Sequence, residues 1–393
     1  MKSINSLSDI NIYRILRLVW EQKGISRIEI ASKLALDKST ITKHVSQLKE
    51  LGLIHEMAQG STGPQGGRKP IFLEITPNFG VVGGIEINTE RFICCILNLH
   101  GTVLFQHQEI IKPEVFKKLK TKGIFTIAYN LIVSESEKLS LPLLGIGVGL
   151  PALINPETSV IRESVPLFIS SPYNFIQDVQ DIITVPVYIE NDARCCCYSE
   201  RFVANVSPQN MLFLLLEYRM IEALSDAPRK VAIGMGLVLN GHIFRGNEST
   251  AGEFRSLLWD ESVEGQLKSS FTAPINGFNE DKENEGYIEL SKHVAFLVNI
   301  LNLNRVYIAG LDNPSADKLS KCIYKEINYL WAYGPKKNVD IQIASLGNMA
   351  VAYGAACMYL EKIFPIPKLT GSKNNQPNSL ELFSHIKHKN LKK

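Results

Sequence analysis

The hydrophobic period of this chain changes near residue 52, from helical spacing to strand-like runs, and that change constrains the fold more than any other feature. Ile12, Ile15, Leu16 and Val19 recur at helical intervals, so a helix is expected over 9–22, with Asp9 as its N-cap. Gly24 ends it. Ser26 opens a short second helix carrying Ile28, Ile30, Ala31 and Leu34, and Glu29, three residues on, completes a capping box. After the turn at Leu36-Asp37 a third helix is expected over 38–51, with Ile41, Val45, Leu48 and Leu51 as its apolar stripe and Gly52 as its stop. Beyond it the pattern is extended: 53–56 and 71–75 read as two strands joined by the glycine-rich stretch GSTGPQGGRKP.

Two short helices joined by a tight turn form a helix-turn-helix unit, and a hairpin behind them makes a winged helix. The outer face of the third helix carries Lys38, Ser39, Thr40, Thr42, Lys43 and Ser46. Short hydroxyl side chains let a helix enter the DNA major groove, and lysines meet phosphates or guanine edges. Arg68 and Lys69 lie at the hairpin tip, where a basic wing would touch the backbone or the minor groove. A solvated helix face and a plain turn are the competing readings. Charge distribution favours the nucleic-acid reading: residues 1–76 hold 11 Lys/Arg against 7 Asp/Glu, while the rest of the chain holds 31 against 32. A double-stranded DNA operator is the expected partner of this segment.

Composition excludes several classes. Hydrophobic residues make up 45% and charged residues 21%, as in ordinary globular domains. No apolar run reaches the roughly 18–20 residues of a membrane span, and MKSINSLSDIN has no apolar core of a signal peptide. No membrane association and a cytoplasmic location are therefore expected. The seven cysteines, at 94, 95, 195, 196, 197, 322 and 357, suit neither a disulfide framework nor zinc spacing. They are read as small buried hydrophobes.

From Val81 onward strands dominate. Expected strands cover 82–87, 91–97, 103–110, 144–149, 185–190, 211–217, 231–239 and 306–310, with helices over 114–138, 286–301 and 350–360. An antiparallel opening followed by alternating strands and helices implies an α/β fold in two lobes.

The residues then begin to resemble a family. Gly66-Gly67-Arg68-Lys69-Pro70, Gly145-Ile146-Gly147-Val148-Gly149-Leu150-Pro151, Glu190-Asn191-Asp192-Ala193, Gly234-Met235-Gly236 with Asn240-Gly241 and Gly246, and Ala251-Gly252-Glu253 occur in an order and spacing similar to the ROK family of repressors, open reading frames and sugar kinases. The likeness is strongest to its xylose-repressor-like members and covers about residues 10–362. It implies an actin-like, ribonuclease H-like domain of the ROK/hexokinase type. It also implies that Asp192 holds the position of a kinase's catalytic base, and that Asn191, Asp192 and Glu253 accept hydrogen bonds from sugar hydroxyls.

Departures from the family pattern bear on chemistry. The kinase turn Asp-x-Gly-Gly-Thr corresponds here to Glu86-Ile87-Asn88-Thr89-Glu90, without its glycines and with an added acid. The second phosphate turn, Gly-Thr-Gly, aligns with Lys230-Val231-Ala232. Ser256 stands where the family's zinc-binding, sugar-contacting histidine would be, and no cysteine occurs between 198 and 321, so no metal and no cofactor are expected.

The resulting expectation is a DNA-binding domain over 1–76, a sugar-kinase-like sensor and oligomerisation domain over 77–366, and a polar, basic, poorly ordered tail over 367–393. No catalytic residue is assigned, Asp192 being a vestigial base. The chain is read as a repressor of carbohydrate-utilisation genes, a homodimer or homotetramer that answers to a small sugar effector. An ATP-dependent sugar kinase with a DNA-binding appendage is the alternative. A sensor lobe that only pairs two DNA-binding heads is the third reading.

Overall fold

The computed structural model describes residues 7–57, 71–204, 208–219, 230–263, 265–269, 280–365, 380 and 382–384. The chain opens with α1 (Leu7–Glu21), β1 (Ile25–Ser26), α2 (Arg27–Leu34), α3 (Lys38–Glu50), β2 (Ile54–Glu56) and β3 (Phe72–Ile75). This is a winged helix. Ile15, Leu16, Val19, Ile30, Ile41, Val45 and Leu48 meet at its centre, all of them buried. Ser26 and Glu29 form the reciprocal cap of α2, with Glu29 Oε2 accepting from the Ser26 N–H at 2.8 Å. Three details depart from the sequence reading. Asp9 lies inside α1 rather than ahead of it, because the helix begins at Leu7. Ile28 is 70% exposed, since α2 buries only the opposite stripe through Ile30. The wing is three-stranded, in the order β1-β3-β2, because Ile25 pairs with Leu73 across β3.

Two five-stranded sheets follow. The first holds β4 (Val81–Ile87), β5 (Arg91–Asn98), β6 (Val103–Ile110), β7 (Leu143–Leu150) and β11 (Val187–Asn191), in the order β11-β7-β4-β5-β6. Its β4–β5–β6 meander is antiparallel, and β4, β7 and β11 run parallel. Every residue of β4 is buried, so the centre of the sheet is covered on both faces, while the edge strand β6 is largely exposed. Helix α4 (Pro113–Lys138) packs on one side, near α5 (Phe175–Val179) and a small sheet of β8 (Leu153–Asn155), β9 (Val160–Glu163) and β10 (Tyr173–Asn174). The second large sheet has β12 (Met211–Arg219), β13 (Lys230–Leu239), β14 (His242–Ile243), β15 (Arg305–Ala309) and β16 (Asp340–Ile343), in the order β14-β13-β12-β15-β16. Helices α7 (Glu280–Ile300) and α8 (Asn313–Tyr329) pack against each other beside it.

Between the two sheets lie α6 (Asp192–Val203) and α9 (Ala350–Ile363). The three consecutive cysteines fall on α6 and are wholly buried among Met211, Phe213, Tyr307 and Ala355, as small apolar side chains. All seven cysteines are free. The two helices touch backbone to backbone: a Cβ at Gly354 would sit 1.8 Å from the Cys195 carbonyl oxygen. Only glycine permits that approach.

The winged helix and the two-lobed α/β domain share one hydrophobic core. Trp20 of α1 stacks on Phe364, with centroids 4.9 Å apart, and its indole N–H donates to the Leu99 carbonyl at 3.0 Å. Arg17 donates to the Phe364 carbonyl at 2.8 Å. The stretch read as a loose tail needs correction at its described residues. Phe383 is fully buried against Phe79 and Phe364, and the Leu380 N–H donates to the Tyr13 hydroxyl. The overall polarity of the stretch hid the three apolar side chains Leu380, Leu382 and Phe383, whose burial offsets the ordering of the backbone. Among the described residues no helix is long and apolar enough to cross a membrane.

Candidate functional site

The first candidate surface is the outer face of α3. Asp37 caps the helix, accepting from the Thr40 N–H at 2.8 Å and the Thr40 hydroxyl at 2.6 Å, and the Ser39 hydroxyl donates to it as well. Those two hydroxyls and the Thr40 N–H hold the Asp37 carboxyl far below the usual carboxylate range. Lys38, Ser39, Thr42 and Lys43 are exposed on this face and Thr40 is half-buried at its edge, while Ile41, His44, Val45 and Leu48 turn inward. The hydroxyl of Thr42 returns to the Lys38 carbonyl at 2.8 Å. Each of the three hydroxyls therefore already donates within the helix, and the lysines carry the face's positive charge. Arg68 and Lys69 lie outside the described residues.

Structure also narrows the basic count of the first segment. Lys49 and Arg27 both pair with Glu56, at 2.7 and 3.2 Å, and draw its carboxyl down. Arg14 and Arg17 serve backbone carbonyls of Leu34 and Phe364. Sequence counting could not separate these internal cations from those facing outward.

The second candidate is a cavity of about 450 Å³ between the lobes, lined by Asn191, Asp192, Glu253, Gly234, Phe168 and Val165 among others. Asn191, Asp192 and Glu253, the three polar residues named from the sequence, all line this one cavity. Asn191 caps α6, its amide oxygen accepting from the Arg194 N–H at 3.1 Å, and its amide nitrogen lies 3.4 Å from the Ala152 carbonyl. Asp192 begins the helix, and its Oδ1 accepts from the Ala193 N–H. Glu253 reaches the cavity from the loop after β14. Partial burial, then the charge of Asp192, raises its carboxyl above the ordinary glutamate value, against the pull of Arg194. Gly252, just before it, has φ +99°, and a Cβ there would lie 2.0 Å from the Met235 carbonyl.

Beneath this cavity is an ion cluster that the sequence reading missed. Glu190 is wholly buried. It accepts from Arg194 Nε at 2.8 Å and the Asn191 N–H at 2.9 Å on one oxygen, and from Arg245 Nη2 at 2.8 Å on the other. Burial alone would raise its carboxyl, but Arg194 and Arg245 hold it below the ordinary value. Arg194 also donates to the carbonyls of Ser249 and Ala251, at 3.1 and 3.3 Å, and so ties the Glu253 loop to the start of α6. The four-residue spacing of Glu190 and Arg194 was the available signal, masked by the apolar run that follows.

Ser256, where the family pattern has a histidine, is buried, and its hydroxyl meets Nε2 of His293 from α7 at 3.0 Å. The stretch 86–90 lies beside a second cavity of about 210 Å³, lined by Asn88, Thr89, Glu217 and Gly310 among others. Arg91 Nη2 bridges Glu86 at 2.9 Å and Glu217 at 3.0 Å. Glu86 is buried and its carboxyl is pushed up to about 8, by burial first, with the acids Glu217 and Asp192 opposing the attraction of Arg91. Val231 and Ala232 line the larger cavity.

Residues 82–260 match the model of the ROK family, and 8–55 that of the winged helix-turn-helix DNA-binding family. The segment over residues 82–260 belongs to the ROK family. Among curated ROK relatives, the xylose repressor of Staphylococcus xylosus is 27% identical over 259 residues, a match covering 66% of this chain and 63% of that protein. The chain thus spans less than two thirds of the length of this relative, and 61% of the xylose repressor of Bacillus subtilis (strain 168). A solved structure of a ROK family transcriptional regulator, a homolog of the E. coli MLC protein, superposes with TM-score 0.67 and 16% identity over 98% of both chains. A ROK family glucokinase from Streptomyces griseus superposes with TM-score 0.52 and 14% identity, covering 71% of this chain and 99% of that one. These two likenesses concern the fold.

The raised Glu86 carboxyl makes a pH prediction. The folded state holds this proton more tightly than the unfolded chain does, so its contribution to stability is full below about pH 4.5 and is lost as pH rises to about 8. Glu86→Gln should flatten that decline, giving a urea midpoint above the parent's at pH 8 and near it at pH 5. A midpoint lowered equally at both values would show that the carboxylate form is the stabilising one.

Proposed function

We propose that this ROK chain is a DNA-binding transcription regulator, a repressor of carbohydrate-utilisation genes, whose kinase-like cleft takes a sugar and performs no phosphoryl transfer. The observation that carries the reading is that one chain joins an exposed Lys38–Lys43 helix face to an interlobe cavity bearing Asn191, Asp192 and Glu253. Xylose repressors among the relatives, and likeness over 98% of the chain to a ROK transcriptional regulator, support it. Residues 1–76 would read duplex DNA in the major groove through Lys38, Ser39, Thr40, Thr42 and Lys43, with Arg68 and Lys69 on the wing. Residues 77–366 would sense the effector and pair the subunits as a homodimer or homotetramer, so that two heads meet a pseudo-palindromic operator in the cytoplasm.

The effector we propose is a small neutral sugar such as xylose. Asp192 and Glu253 are acceptors matched to a ring of hydroxyl donors, and the apolar side chains Val165 and Phe168 line the same cavity. Arg91 supports the absence of kinase chemistry: its guanidinium is held between Glu86 and Glu217, beside the turn that would have to cradle phosphate. The acids Glu90 and Glu217 in the same region would repel a triphosphate.

Two experiments test this reading. Binding of the full chain to a random-sequence duplex should weaken linearly in log salt, and Lys38→Ala with Lys43→Ala should lower that slope by about 0.9 for each phosphate contact removed. An unchanged slope would remove α3 from the interface. In a thermal-shift screen, D-xylose at millimolar dose should raise the unfolding midpoint, as ligand binding stabilises by about 2.7 kcal/mol at one hundred times Kd, while ATP should leave it unmoved. A shift with ATP would favour the kinase reading, which the place of Asp192 in the cleft keeps in view.

A further inference from the structure

Two helices run from the cavities to the DNA-binding head. Helix α6 begins with Asp192 in the larger cavity, and near its far end Phe202 lies 5.6 Å from the ring of Trp20. Helix α9 begins with Ala350 and Val351 at the smaller cavity, and Phe364, just past its end, stacks on the same Trp20 at 4.9 Å. With 12 and 14 residues, the helices reach roughly 18 and 21 Å. Trp20 belongs to α1, whose Ile12, Ile15, Leu16 and Val19 share a hydrophobic core with Ile41, Val45 and Leu48 of α3. A displacement at Trp20 is therefore a displacement of the face that carries Lys38 and Lys43.

The two helices are fastened along their length. Gly354 lets α9 rest on the Cys195 carbonyl, and Arg201 of α6 pairs with Glu361 of α9 at 2.9 Å near their ends. Glu200, buried on α6, accepts from the Ser345 N–H at 3.1 Å. At the cavity end, Arg194 ties α6 to the loop that holds Glu253. A close-packed interior of this kind is barely compressible, so the pair moves as a unit or switches between discrete packings.

We infer that α6 and α9 carry the state of the cleft to the DNA-binding head, with Phe202 and Phe364 as the two contacts that deliver it to Trp20. This rests on the cleft being the effector site. A ligand that draws Glu253 toward Asp192 shifts the start of α6, and the far end re-aims the tryptophan socket. For transmission the ligand must favour one packing over the other.

The test uses the full chain with Trp259→Phe and Trp331→Phe, so that Trp20 alone emits. D-xylose is titrated while its occupancy is read separately by thermal shift. The Trp20 emission should move with the same half-saturation. Phe202→Ala should keep the thermal shift and diminish the emission change, because one of the two contacts on Trp20 is lost. A saturating thermal shift with unmoved emission overturns the proposal, as does an undiminished response in Phe202→Ala. A second arm needs no sugar: Glu253→Lys puts a cation beside Asp192, and should change amide exchange in α1 in the parent and less so in Phe202→Ala. If D-xylose gives no thermal shift but this arm responds, the pentose assignment fails and the relay stands. If α1 exchange is unmoved in the parent, the relay fails.

Discussion

A carboxylate with no access to water organises the centre of this protein. Glu190 lies one residue before the end of β11, the strand that leads into α6, and two arginines converge on it. Leaving such a charge unpaired in the interior would cost several kcal/mol, so the arginines are required, and their other donors find partners in turn, apart from the buried Arg194 Nη2. Arg194 finds the carbonyls of Ser249 and Ala251, and Arg245 finds the Tyr198 hydroxyl. That one constraint brings together the strand, the start of α6 and the loop carrying Glu253. The cleft has its shape because the charge beneath it must be satisfied.

The head is no loosely tethered appendage. Trp20 sits among Phe202, Phe364 and the Leu99 carbonyl, and Phe383 is packed against Phe79 and Phe364. Burying aromatic rings at this junction gives it the character of a domain core rather than a transient contact. The cleft and the aim of α3 are therefore joined by continuous packing, through which a change at one end can reach the other.

Much of this was legible in the sequence, for definable reasons. Strongly periodic segments declared themselves: Ile41, Val45 and Leu48 mark the inner stripe of α3, and the Ser26–Glu29 pair marks the start of α2. The strand over 103–110 has the expected ends. The gathering of Asn191, Asp192 and Glu253 followed from resemblance rather than spacing, since Glu253 lies about sixty residues away along the chain. What stayed hidden was decided by tertiary context. Helix α6 carries three cysteines in a row, which show no period, so the reading stopped at its first turn. Helix α8 and strand β16 were also passed over, although α8 is amphipathic, with Ala316, Leu319, Ile323 and Ile327 buried. Phe383 was lost in a polar stretch. Whether Arg194, Arg17 or Lys49 faces inward or outward is set by distant partners, which local sequence does not encode.

We propose that this chain reads duplex DNA as a paired regulator. The most direct test of this is selection of a random-sequence duplex library by the purified full-length protein, followed by sequencing of what is retained. A paired regulator should enrich an inverted repeat whose half-sites are one helical turn or a multiple of it apart, one for each recognition helix. Retention without any enriched motif, or no retention at low salt, would contradict it.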